Sequence, residues 1–169
     1  MKNIFLTGFM GTGKSSVGKA LAERLGTRFI DLDQLIVAEA GMVIKEIFAR
    51  DGEPYFRSLE TQIIRRLDSE HGLVVSTGGG AVIDPENRRW MREHGHVVNL
   101  TATAETIRER LAADNERPLL QEDNSHEKIT AMLAEREPFY RDANIRIDTT
   151  DRSVDGIVLQ ILAWLKKEA

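Results

Sequence analysis

The sequence predicts an α/β protein of three layers, a five-stranded parallel sheet flanked by helices. Three observations carry that expectation. Short apolar runs alternate with longer segments of helical period; the first run leads through a glycine-rich loop into the first helix; and one polar stretch late in the chain breaks the alternation without dividing the chain. The alternation matters most, because parallel strands need a crossover between them and a helix is the usual one.

Each element has its own signal. The strand-like runs are "NIFLT", "RFIDL", "LVVST", "HVVNL" and "NIRID", each followed by a helix candidate. The first helix is expected over Lys14 to Leu25, with Gly26 as its stop, and Gly41 stops the next. Asp84 and Pro85 read as the N-cap and first residue of a later helix. Two further helices are expected from Thr103 to Leu111 and from Ser125 to Glu137. Between them "ADNERPLLQEDN" is polar and contains Pro118, so a mobile loop is expected at about 112–124, a lid if it is functional and a plain surface loop otherwise. No internal repeat or long linker appears, so 1–169 is expected to be one domain.

Composition narrows the classes. With 169 residues, 41% of them hydrophobic, the chain is large enough to bury about two thirds of its unfolded surface. No apolar run approaches the roughly 18 residues that span a bilayer, so no membrane partner is expected. No export leader precedes the first run and there is no cysteine, which fits a cytoplasmic protein. A net charge of -4 argues against nucleic acid as a partner. Arginines outnumber lysines 16 to 7, and the planar guanidinium suits phosphate and carboxylate; solvated helix faces account for many of them.

The strongest motif is "GFMGTGKSS". Gly8-x-x-x-x-Gly13-Lys14-Ser15 satisfies the phosphate-loop pattern at every fixed position and lies between a strand and a helix. Gly11, Thr12 and Gly13 offer backbone N–H groups to phosphate oxygens, with Ser16 in the first helical turn. Lys14 can reach the transferring phosphate and Ser15 can ligate magnesium. The loop is expected to hold the β and γ phosphates of a nucleotide.

The receiving group must be found elsewhere. Asp31 and Asp33 in "FIDLDQLI" would point to one side if the segment stays extended, Asp31 toward the metal and Asp33 toward an acceptor hydroxyl; the competing reading is that they cap the next helix. Gly78, Gly79 and Gly80 end the third strand-like run and leave the backbone open to an acceptor's oxygens, or form a tight turn. Arg57 follows a Gly-Glu-Pro break, Arg117 lies in the expected lid, and Arg136 opens "REPFY". Arg57 and Arg136 could clamp an anionic acceptor, and Arg117 could neutralise the transferring phosphoryl group. Each of the three, taken alone, could equally be a surface residue.

Together these stretches resemble the shikimate kinase family along essentially the whole chain. The pieces fall in family order: "GFMGTGKSSVGKALA", "DLD", Phe56, Arg57 and Glu60, "STGGGAV", "RPLL" from Arg117, and "REPFY" followed by Ala143. The resemblance implies a phosphate-loop kinase fold of the nucleoside monophosphate kinase type with a lid. It implies transfer of the γ phosphate of ATP to the 3-hydroxyl of shikimate, in aromatic amino-acid synthesis, with ATP and Mg2+ as cofactors and a monomer as the working unit. By position, Asp33 matches the residue holding the acceptor hydroxyls; Arg57, Gly79 and Arg136 match the carboxylate-binding group, and the region at about 33–62 the substrate-binding helices. Lys14 and Arg117 match contacts to the transferred phosphate, Ser15 and Asp31 the magnesium positions, and Arg110 and Arg152 the residues flanking adenine. Ser16 stands where the family more often has threonine.

Two alternatives remain at this point: a kinase of the same fold acting on gluconate or a nucleoside monophosphate, and an inactive module that binds nucleotide to signal a partner. His71, His94, His96 and His126 show no metal-ligand spacing, and Trp164 with Ile157, Ile161 and Leu165 makes an apolar stripe suited to the core.

Overall fold

The computed structural model describes residues 1–113 and 125–169. Five strands, Asn3–Thr7 (β1), Phe29–Asp31 (β2), Val74–Ser76 (β3), Gly95–Thr101 (β4) and Ile145–Asp148 (β5), form one sheet in the order β2-β3-β1-β4-β5. All four pairings are parallel. The helices are Lys14–Leu25 (α1), Leu32–Ala40 (α2), Ile44–Arg66 (α3), Pro85–His94 (α4), Ala104–Ala112 (α5), His126–Tyr140 (α6) and Val154–Glu168 (α7). The expected lid and Arg117 fall almost wholly outside the described residues.

The sheet is covered on both faces, which is why its strands read as continuous apolar runs. Alternation still sorts the side chains. Ile4, Leu6, Val74, Val98 and Leu100 pack with α1 and α7, where Ile157 and Ile161 are buried as the stripe on the last helix predicted. Phe5, Val75 and Val97 pack on the other face with α2, α3, α4 and α6.

Helix ends are set by local chemistry. Asp84, Thr103, Ser125 and Ser153 accept backbone N–H bonds at the starts of α4 to α7, and Gly26 and Gly41 close α1 and α2 in the left-handed region. Gly52, at φ 81° and ψ 170°, breaks α3 into two segments, with Pro54 in the first turn of the second. The second segment carries Arg57 and Glu60.

The sheet order places β1 at the centre, flanked by β3 and β4. The carboxyl ends of β1, β2 and β3 lie in register, with Leu6 and Asp31 both opposite Ser76. Loops leaving those ends share one crevice, the usual ligand position in an open parallel sheet.

Candidate active site

The loop between β1 and α1 turns through positive φ at Gly8, Gly11 and Gly13. At Gly8 a Cβ would come within 2.3 Å of the Leu100 carbonyl, so no side chain fits there. The loop is held by its carbonyls. Lys14 Nζ, buried, donates to the carbonyls of Gly8 (2.8 Å) and Phe9 (2.9 Å), and Thr12 Oγ1 donates to Phe9 O (2.8 Å). Arg110 donates to Gly11 O (3.0 Å) and to the carbonyl of Thr149 (3.0 Å), while Thr149 Oγ1 donates to Thr12 O (2.9 Å). Gly13 supplies no side-chain cap, so the first N–H groups of α1 keep the open, positive helix end that binds anions.

Next to this end, Ser15 Oγ donates to Asp31 Oδ2 at 2.8 Å and lies 3.5 Å from Ser76 Oγ. An all-oxygen set with one carboxylate fits magnesium, which takes few protein ligands and completes its shell with water and phosphate. Among the described residues no group of three or more His, Asp or Glu could hold a metal ion by itself.

The expectation that Asp31 and Asp33 share one side of an extended segment needs correction. The strand ends at Asp31, whose Oδ1 accepts from the backbone N–H of Asp33 (3.0 Å) and Gln34 (3.3 Å), and Asp33 stands in the first turn of α2. Asp31 thus caps the helix with one oxygen and faces Ser15 with the other. Helical geometry turns Asp33 away from β2 and toward the turn after β3. There its Oδ1 lies 3.1 Å from where a Cβ on Gly78 would sit.

That turn explains the three glycines. A Cβ on Gly80 would fall 2.2 Å from Arg57 Nη2, and one on Gly78 2.6 Å from Glu60 Oε2. The space the glycines leave is occupied by side chains of α3. Arg57 Nη1 donates to Glu60 Oε1 (2.9 Å), and its Nη2 reaches Glu53 Oε1 (3.3 Å). From α6, Arg136 is buried with its guanidinium 5.5 Å over the Phe9 ring, and the Tyr140 hydroxyl donates to Gly79 O at 2.7 Å. The phosphate loop and the acceptor side therefore share a wall, with Gly79 also against Met10 N.

Two buried polar atoms at this turn have no hydrogen-bond partner among the described residues, Arg136 Nη1 and Glu60 Oε2. Unpaired buried groups of this kind cost about 1–3 kcal/mol each, more when charged. Burial pushes the Glu60 carboxyl up to about 7, against the pull of the Arg57 guanidinium. It also pushes the Tyr140 phenol up to about 12, which keeps its proton on the bond to Gly79.

Of the residues singled out from sequence, Asp33, Arg57 and Arg136 come together around Gly78, Gly79 and Gly80, Lys14 folds back onto the phosphate loop, and Ser15 pairs with Asp31. Arg110 braces the loop from behind, and Arg152 is exposed, donating to Gln160 Oε1 (2.6 Å). Sequence reasoning passed over Ser76, Tyr140 and Thr149 and gave Glu60 no task. Glu60 had a signal, its helical spacing from Arg57, but that spacing usually marks a solvated face.

The family model described as shikimate kinase matches residues 10–166. The chain belongs to the shikimate kinase family. A shikimate kinase of Geobacter metallireducens is 58% identical, the match covering 98% of this chain and 93% of that one. One of Geobacter sulfurreducens is 55% identical over 98% and 92%. The solved structure of a shikimate kinase from Acinetobacter baumannii in complex with shikimate superposes with a TM-score of 0.95 at 38% identity, covering 99% of this chain and 94% of that one. Membership makes the chain an ATP-dependent phosphotransferase acting on a shikimate hydroxyl.

Proposed function

We infer that the chain carries the γ-phosphoryl group of ATP to the 3-hydroxyl of shikimate by direct in-line transfer, as a single-domain cytoplasmic monomer with no nucleic-acid or membrane partner. One observation carries the site assignment: Asp33, Arg57 and Arg136 converge, from three helices, on the glycine turn directly across from the phosphate loop. Arg136 Nη1, buried beside the Gly79 turn with no hydrogen-bond partner among the described residues, supports it, since an acceptor's carboxylate docking at that turn would satisfy it.

Backbone N–H groups of Gly11, Thr12 and Gly13 and the start of α1 through Ser16 hold the phosphates, and Lys14 takes charge at the β and γ positions. Ser15 and Asp31 would hold Mg2+, which when bound offsets phosphate charge. Arg57, Arg136 and the Gly78–Gly80 backbone orient the acceptor carboxylate. Asp33 accepts the hydroxyl proton as the acceptor oxygen bonds to the γ phosphorus and the bond to ADP breaks. Arg110 and Arg152 border the adenine. Residues 112–124 act as the lid and bring Arg117 to the transferring group; residues 33–62 form the acceptor-binding region.

The test is ADP release with ATP and magnesium, comparing shikimate, gluconate, nucleoside monophosphates and no acceptor. Turnover with shikimate alone is expected. Turnover with another acceptor would overturn the assignment of Asp33, Arg57 and Arg136, and silence with all of them would favour a nucleotide-dependent binding module.

A further inference from the structure

Glu60 is fully buried, yet only one of its carboxylate oxygens has a partner. Oε1 accepts from Arg57; Oε2 abuts Gly78, where Asp33 Oδ1 also arrives. Among the described residues, the charged and titratable groups facing it are Arg57 on its own helix, Asp33 from α2, and Arg136 and Tyr140 from α6. Tyr140 stays neutral, so among the described residues the ionised site holds two guanidiniums against the carboxylates of Asp33 and Glu60, with the half-exposed Glu53 also on Arg57. No positive charge among these groups is therefore in excess before an acceptor enters. An arriving carboxylate adds a further anion beside the buried Glu60, which raises the proton affinity of the least compensated carboxylate there.

We propose that Glu60 is a positioning residue that holds its proton more tightly once the acceptor's carboxylate docks, drawing part of a proton from water near neutral pH and releasing Arg57 from one anion to the next. The proposal rests on the reading that the acceptor carries a carboxylate. Glu60 is suited to this because it is the anion with the least compensation, having an unpartnered oxygen and no exposure. Burial has already brought its proton affinity into the neutral range. The consequence is a pH-dependent acceptor affinity: with Glu60 protonated in advance, docking costs no proton, and above neutrality it does.

Calorimetric titration of the full chain with shikimate, in buffers of different ionisation enthalpy, measures the coupling. At pH 7.5 the heat is expected to report uptake of about half a proton per acceptor bound, and affinity to weaken about tenfold between pH 6 and 9, as a one-unit rise in the pKa of Glu60 on docking requires. Glu60→Gln should bind shikimate with buffer-independent heat. A wild-type heat independent of buffer, or an uptake unchanged in Glu60→Gln, overturns the proposal while leaving the acceptor reading intact. If Glu60→Gln fails to fold, the wild-type pH series decides: uptake should vanish near pH 5.5, where Glu60 is already protonated, and a constant uptake from pH 5.5 to 8.5 overturns it. Absence of shikimate binding overturns both, and the acceptor panel then identifies the acceptor reading as the one at fault.

Discussion

The phosphate loop and the acceptor pocket meet at one edge of one sheet, yet they are built by opposite means. The loop is a run of adjacent residues whose functional groups are mostly backbone, shaped by glycines at positive φ and held through its carbonyls. The pocket is an assembly of side chains from α2, α3 and α6 around a glycine turn after β3, with charged groups buried and two polar atoms unpaired. A backbone cradle tolerates change around it as long as its φ angles survive. A side-chain pocket depends on every contributing helix and carries its electrostatic cost in the resting protein.

The division is broken most directly at the reacting centre. Lys14→Met is expected to lower kcat by about 10²–10³-fold, the usual loss for one charge-stabilising donor, with the shikimate KM little changed. Asp33→Asn should lower kcat by about 10²-fold or more while ATP binding, followed by calorimetry, stays as in the wild type. If Lys14→Met moved only the shikimate KM, the two sides would not be separable as described.

The cost of buried charge gives the next effect. The Glu60 carboxyl is raised from its ordinary 4.5 to about 7, so the folded chain holds a proton that the unfolded chain has released. Its contribution to stability is therefore largest below pH 4.5 and declines as pH rises to about 7, in total by about 3 kcal/mol. Urea midpoints at pH 5 and pH 8 should fall further for wild type than for Glu60→Gln. Parallel midpoints in the two proteins would show that the carboxyl is not held protonated.

Two glycine substitutions separate site from scaffold with smaller effects. Gly80→Ala puts a methyl group 2.2 Å from Arg57 Nη2 and should displace the guanidinium, raising the shikimate KM about tenfold, the equivalent of one charged hydrogen bond, with the ATP KM unchanged. Gly26→Ala meets no atom within 4 Å but sits at φ +64°, so it should cost about 1 kcal/mol in urea unfolding and leave both KM values alone.

The two sides also differ in how far they could be read from sequence. Residues of the loop are neighbours in the chain, so spacing alone identifies Lys14 and Ser15, and the alternation of runs and helices yields the parallel sheet. The pocket is assembled by folding. Nothing local distinguishes Glu60 from a solvated partner of Arg57, because its burial is made by the turn at Gly78, 18 residues further along the chain. The extended reading of Asp31 and Asp33 fails for a related reason, and the capping alternative holds for Asp31: the strand stops where its carboxylate finds two backbone N–H groups to cap, a competition between strand and helix settled by a side chain. Local context singles out Arg57 and Arg136, but only the resemblance to a family separates them from surface arginines.

The carbonyls of Gly8, Phe9, Gly11 and Thr12 are all engaged, by Lys14, by the Thr12 hydroxyl, by Arg110 and by Thr149. A loop fixed in this way has little conformational freedom left to surrender when a nucleotide arrives. The heat-capacity change of nucleotide docking at the loop should therefore report the surface covered and little else, as for a rigid body meeting its ligand, without the large negative excess that accompanies a segment folding around what it binds.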